Sequence, residues 1–147
     1  MKARDIMTAD PEFVTPDQPL SRAAEIMRDC DVGMVPVVTD SVSRTLVGLI
    51  TDRDIAIRHV AGAHQDNCTV GAHMTRDRIA TVRETDETSD VLNSMKQWEV
   101  RRIPVTNDRG SLVGVVAQAD IAIHREISRE AVADVVKTIS EPAHPQR

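Results

Sequence analysis

Two stretches of this chain carry residue types able to do chemistry. In the first, Thr51-Asp52-Arg53-Asp54 follows Gly48 and two apolar residues, Leu49 and Ile50. A threonine ending an apolar run can cap the helix that follows and leave backbone N–H groups free there. Such a helix start attracts phosphate. Asp54, one turn in, offers two carboxylate acceptors to vicinal ribose hydroxyls, and Arg53 can pair a phosphate in a bidentate way. Together these types suit a nucleotide. Thr-x-x-Asp is also an ordinary capping arrangement that needs no ligand. The second stretch holds His59, His64, Cys68 and His73, all metal-ligand types. Their spacing matches no compact zinc pattern, so no metal is expected. No acid–base pair can be named, and no nucleophile elbow, Walker loop or paired-glycine dinucleotide loop occurs. The chain is not expected to be an enzyme.

The elements that must position Asp54 occur twice. Asp54-Ile55-Ala56-Ile57 recurs as Asp120-Ile121-Ala122-Ile123, and Leu46-Val47-Gly48-Leu49-Ile50 as Leu112-Val113-Gly114-Val115-Val116, both at an offset of 66. Val35-Pro36-Val37 recurs as Ile103-Pro104-Val105 at 68, and Met7-Thr8 as Met74-Thr75 at 67. A unit of that length is too long for a solenoid repeat and reads as a duplicated half-domain. Each unit opens with a short extended piece, Phe13–Thr15 or Ile79–Val82. A helix follows, with Leu20, Ala23, Ala24 and Met27, or Val91, Leu92 and Met95, on one face. Two β-rich runs come next, Met34–Val38 and Thr45–Ile50, then Arg102–Val105 and Leu112–Val116. A second helix starts at Thr51 or Ala117. The order β-α-β-β-α, twice, predicts an α/β (α+β) chain with units at residues 1–66 and 67–126. Residues 127–147 add a helix, apolar at Ile127, Ala131, Val135 and Ile139, and a frayed tail. That helix reads either as a lid on the core or as a dimer contact. Cys30 follows a helix and reads as apolar packing.

Composition narrows the partners. Of the 147 residues 41% are hydrophobic and 28% charged, a globular balance. Aromatics are 1%, too few to stack single-stranded nucleic acid, and the net charge of -5 gives duplex DNA no global attraction. No apolar run approaches the roughly 18 residues that a membrane span needs. The start Met1-Lys2-Ala3-Arg4-Asp5 leads into no apolar stretch, so no secretory signal is expected. Two cysteines make no disulfide framework, and a cytoplasmic location is expected.

A duplicated β-α-β-β-α unit with Val35-Pro36-Val37-Val38, then Leu46-Val47-Gly48-Leu49-Ile50-Thr51-Asp52-Arg53-Asp54-Ile55, resembles the CBS domain. Two in tandem resemble a CBS pair, or Bateman module. The resemblance runs from about Ala3 to Arg125, and the whole chain is similar to small stand-alone bacterial CBS-pair proteins. It implies pseudo-symmetric units, each with a three-stranded mixed sheet and two helices. It implies a homodimer joined through the CBS helices that bear Ile55, Ile57, Ile121 and Ile123. It further implies a regulatory module that binds an adenine nucleotide of AMP, ADP, ATP or NAD type in clefts between paired units. No cofactor would be required, and the output would be a change of shape or of affinity for an unidentified protein target. The alternative is a structural or interaction dimer with a degenerate nucleotide site.

The same resemblance directs the adenine to Thr15 and Thr81 and to Val35-Pro36 and Ile103-Pro104. For Val35 and Ile103 simple core packing stands as an equal reading. Arg101 and Arg102 would reach phosphate across the pair, or form a solvated pair. Neighbouring strand residues face opposite sides, so at most one of the two points inward. The second copy keeps Asp120 but has Ala117 in place of the hydroxyl and Ala119 in place of Arg53. A ribose contact through Asp120 is expected, whereas phosphate should be held better at Asp54.

Overall fold

The computed structural model describes residues 1–64, 67–124 and 127–141. The tail expected to fray, with His144, lies outside the described residues, as does Arg125.

In the first repeat, β2 (Met34–Val38) and β3 (Leu46–Thr51) form an antiparallel pair, with Val35 opposite Ile50 and Val37 opposite Gly48. Val14 adds a parallel bridge to Val37, which makes the pairing mixed. Its N–H donates to the Pro36 carbonyl at 3.0 Å, and its carbonyl accepts from Val38 N at 2.9 Å. The extended piece expected at Phe13–Thr15 is therefore a single bridge. Pro16 follows at once and has no N–H to lengthen a ladder.

In the second repeat the sheet runs β1-β6-β5-β4, built from Thr8–Ala9, Leu112–Ala117, Arg102–Thr106 and Val82–Arg83. β1 lies antiparallel to β6, with Thr8 opposite Val115. The strand expected at Ile79–Val82 forms only at Val82–Arg83 and leaves Thr81 exposed before it. The Asp86 carboxylate fixes that register by accepting the Arg83 N–H at 2.8 Å.

The helices α2 (Leu20–Cys30) and α5 (Thr88–Trp98) lay one apolar stripe on each core. In α2 the stripe is Leu20, Ala23 and Ile26, with Met27 beside it and Ala24 exposed, so the face is turned slightly from the one expected. Both helices end in left-handed residues, Asp31 and Glu99, with φ of 52° and 53°. Matching positions of the repeat thus share a helix stop without glycine. Cys30 is the last residue of α2 and is exposed, which corrects its reading as apolar packing.

The compact units do not follow chain order. One consists of Met1–Ala9, Ala80–Val105 and the chain from Val113; the other of Asp10–Ile79 and Thr106–Leu112. The leading helices are α1 (Ala3–Ile6) and α4 (Val70–His73). Ala3 and Ile6 are buried with Val91, Met95, Ile103 and Val116. Val70 and Met74 are buried with Val14, Ile26, Val35 and Ile50. Each repeat's leading helix therefore completes the core of the other repeat.

The C-terminal helix α7 (Arg129–Ser140) starts on a Ser128 cap, whose Oγ accepts Ala131 N at 3.1 Å. Ile127 and Val135 are buried in the core of the unit that holds α5, with Ala131, Val132 and Ile139 packed partly against it. This is the packing of a lid. Among the described residues no helix is long and apolar enough to cross a membrane.

Candidate functional site

Thr51 is the last residue of β3 and the cap of α3 (Asp52–Asp54). Its Oγ1 accepts the Asp54 N–H at 3.0 Å, and Asp54 Oδ2 accepts the Thr51 N–H at 3.0 Å. This is a complete capping box, two backbone donors satisfied reciprocally. The Asp52 N–H is taken by the Gly33 carbonyl at 2.9 Å. The helix continues through Ile55–Val60 in a wider winding, with i to i+5 bonds such as Ala61 N to Ala56 O.

Two residues not singled out from sequence complete the surroundings of Asp54. The Thr75 hydroxyl donates to Asp54 Oδ2 at 3.2 Å and lies 3.4 Å from Oδ1. Arg58 Nε is 3.7 Å from Oδ1, while its Nη1 donates to the carbonyls of His73 and Met74 at 3.2 Å each. The Asp54 side chain is 12% exposed. Oδ2 accepts two bonds, from Thr51 N at 3.0 Å and from the Thr75 hydroxyl at 3.2 Å. Oδ1, with only long contacts, keeps the acceptor capacity that a ribose hydroxyl would use. Arg53 stands exposed beside it, its own N–H held by Asp52 Oδ1 at 2.8 Å.

Gly48 has a steric reason. A Cβ there would lie 2.6 Å from the Thr75 carbonyl. Thr75 and Leu49 exchange backbone bonds at 2.8 and 3.0 Å, so the Met74-Thr75 segment is held directly over the glycine. Gly114 faces the same approach from Met7 and Thr8. The glycine of the repeated motif admits the segment that carries Thr75, which bridges to Leu49.

The second copy keeps half of the arrangement. Asp120 Oδ2 accepts the Ala117 N–H at 2.9 Å at the start of α6 (Gln118–Ile123), but Ala117 has no oxygen to return the bond. The Gln118 N–H goes to the Arg101 carbonyl at 2.9 Å, as that of Asp52 goes to Gly33.

The remaining expected residues are placed as follows. Thr15 forms a turn, its N–H on Gln18 Oε1 at 2.9 Å and its hydroxyl on Asp17 at 2.5 Å. Val35 and Ile103 are 1% and 0% exposed, and their side chains are core groups. Pro36 and Pro104 are buried, Arg102 is half-buried and Arg101 exposed. Thr15, Val35, Pro36, Thr51, Arg53 and Asp54 belong to one unit; Thr81, Arg101, Arg102, Ile103, Pro104 and Asp120 to the other. Of the isoleucines expected at a dimer contact, Ile57 and Ile123 are 49% and 77% exposed. Ile121 is buried in its own core and Ile55 packs against one. Residues two apart lie on nearly opposite sides of a helix, so both members of each pair cannot face a partner.

The histidines converge. His59 Nδ1 is 3.4 Å from His73 Nε2, and the ring centroid of His64 lies 4.7 Å from that of His73. The ligand atoms of His59, Cys68 and His73 all lie within 4.8 Å of one another. His73 is 3% exposed, and burial, reinforced by His64, His59 and Arg58, holds its pKa below the usual histidine range.

The CBS domain family matches residues 3–59 and 70–126, and the chain belongs to that family, carrying the domain twice. It is 37% identical over 140 residues to Hypoxic response protein 1 of Mycobacterium tuberculosis, covering 95% of this chain and 94% of that protein. The crystal structure of Hypoxic Response Protein I with two coordinated zinc ions is similar at a TM-score of 0.76 and 38% identity, over 84% of this chain and 98% of that one. The CBS domain pair of protein MJ0100, in complex with 5'-methylthioadenosine and S-adenosyl-L-methionine, has a TM-score of 0.69 and 29% identity, over 83% and 93%.

Proposed function

We propose that this chain is a regulatory module that senses an adenine nucleotide of AMP, ADP, ATP or NAD type and carries out no catalysis. The ligand's ribose would be bound by Asp54, its phosphate by the Thr51 hydroxyl with Arg53, and its adenine beside Thr15 and the backbone at Val35-Pro36. The phosphate falls to the hydroxyl because the backbone N–H groups of Thr51 to Asp54 are already bonded. The counterpart at Asp120, with Thr81, Ile103-Pro104, Arg101 and Arg102, would be the weaker site. The observation that carries this reading is the acceptor Oδ1 of Asp54, on a side chain 12% exposed at a capped helix start, with only long contacts. The adenosine compounds on the MJ0100 CBS pair support it. The module would act in the cytoplasm as a homodimer, through the exposed Ile57 and Ile123, and signal to a protein target. One observation favours the alternative, an interaction dimer with a degenerate site: Thr51 and Thr75 already satisfy Asp54 Oδ2.

A thermal-shift screen with AMP, ADP, ATP, NAD and S-adenosylmethionine separates the two. A ligand at 100 times its dissociation constant stabilises the folded state by roughly 2.7 kcal/mol. Stabilisation by at least one of the five supports the sensor; none by any of them supports the interaction dimer.

A further inference from the structure

We propose that His59, Cys68 and His73 form a zinc site, independent of the nucleotide reading and resting on the side chains of this chain alone. Zinc binds imidazole nitrogen at about 2.0–2.1 Å in tetrahedral geometry, which sets neighbouring nitrogens about 3.3 Å apart. His59 Nδ1 and His73 Nε2 already stand 3.4 Å apart. A thiolate sulfur at about 2.3 Å from the metal needs a slightly longer edge. The Cys68 sulfur lies within 4.8 Å of both nitrogens, so a small side-chain movement closes the set. Two imidazoles and one thiolate are the donor types that select zinc over magnesium or calcium.

The ligands sit on a fixed frame, which distinguishes them from a chance cluster of rings. His59 is on the widely wound helix, and the His64 N–H bonds back to its carbonyl at 3.1 Å. Cys68 is anchored by its carbonyl, which accepts Leu20 N at 3.0 Å, and the next turn by Val70 N on Gln18 O at 2.9 Å. Arg58 pins the backbone of His73. His73 is buried while His59 and Cys68 are half-buried, which gives the metal an entry side and leaves the fourth position to water. On binding, the Cys68 thiol gives up its proton to solvent. The proton shared between the two rings moves to a nitrogen that does not face the metal. Zinc would clasp the segment that joins the two repeats. In the second repeat Arg125 stands at the position matching His59, so one site per chain is expected.

The test uses the full chain without a polyhistidine tag, stripped with a chelator, dialysed and titrated with zinc chloride. Metal is counted by plasma mass spectrometry, and cobalt(II) replaces zinc as a spectroscopic probe. One zinc per chain is expected, with a thiolate-to-cobalt charge-transfer band and the intense visible bands of tetrahedral cobalt. Cys68→Ser should abolish the charge-transfer band. Cys68→Ser and His59→Ala should each weaken zinc by more than the roughly 10–100-fold typical of losing an outer-shell partner. Because His73 is buried, those two half-buried positions carry the test, and both metal-free variants should melt like the metal-free parent. Failure to retain stoichiometric zinc, retention undiminished in both variants, or cobalt without the thiolate band would overturn the site. None of these outcomes bears on nucleotide binding.

Discussion

The hydroxyl of Thr75 donates to the carboxylate of Asp54 across 21 residues of chain, at 3.2 Å. The bond joins the leading segment of the second repeat to the helix start of the first. It orients the carboxylate, and it also competes with any ribose for that carboxylate. Thr75→Val separates these roles. Were orientation dominant, nucleotide affinity would fall; were competition dominant, it would rise. The two bonds on Oδ2 and the longer contacts of Oδ1 predict orientation. Calorimetric affinity for AMP should therefore drop in Thr75→Val, and a rise would contradict the assignment of Oδ1 as the ribose acceptor.

The capping asymmetry between the repeats is testable by stability. Thr51→Ala removes the oxygen that accepts Asp54 N and should cost about 0.5–2 kcal/mol in denaturant unfolding. Ala117→Thr should return a cap to α6 and strengthen phosphate binding at the Asp120 site. Two equal nucleotide sites in the parent, unchanged by Ala117→Thr, would show that backbone N–H groups alone hold the phosphate.

Glycine positions should differ in tolerance. A Cβ at Gly48 meets the Thr75 carbonyl, which is backbone and cannot move aside. Gly48→Ala should then destabilise by roughly 1–3 kcal/mol, as overpacking does. At Gly33 the nearest atom is the end of the Asp52 side chain at 3.1 Å, which can swing away. Gly33→Ala should cost clearly less. Equal losses in chemical denaturation would refute the close-approach argument.

Much of this was legible in sequence because it is local. Apolar strand runs, turn residues and the Thr51–Asp54 cap sit within a few residues of one another, and the offset of 66 revealed the duplication. The exchange of α1 and α4 was not legible. Both are four-residue helices whose partners lie far along the chain, and periodicity carries no information about which core a short helix completes. Thr75 and Arg58 were missed for the same reason, since Met74-Thr75 marked the repeat without revealing that it passes over Gly48. The histidine and cysteine ligands were visible as types. Their convergence brings together the wide helix Ile55–Val60, which carries His59, with Cys68 and the short helix that ends at His73, a placement that spacing alone does not give.

The loop between β2 and β3 supplies a pH marker. Asp40 accepts from the Ser43 hydroxyl at 2.6 Å, from Ser43 N at 2.7 Å and from Val42 N at 2.9 Å. These bonds hold its pKa down at about 2, led by the Ser43 hydroxyl. A carboxylate depressed in the folded state stabilises it above the unfolded value, 3.8, and loses that contribution as pH falls through about 2. The stability difference between the parent and Asp40→Ala should therefore close over that window. An Asp40 carboxyl titrating at the ordinary value by NMR would contradict the bonding.

The proposed homodimer would rest on exposed apolar groups. Ile57 and Ile123 are exposed, and Val60 is 69% exposed on the same widely wound helix as Ile57. Sedimentation equilibrium should give a dimer for the parent and a monomer for the double substitution Ile57→Lys and Ile123→Lys. A parent that stays monomeric at tens of micromolar would remove the dimer from the account.

Isothermal titration of the parent and of Asp54→Ala with the tightest ligand of the five tests the nucleotide site most directly. The account predicts saturable binding to the parent and a loss of about 1.5–3 kcal/mol in Asp54→Ala, the worth of hydrogen bonds to a charged group. Binding to Asp54→Ala with parental affinity would contradict it.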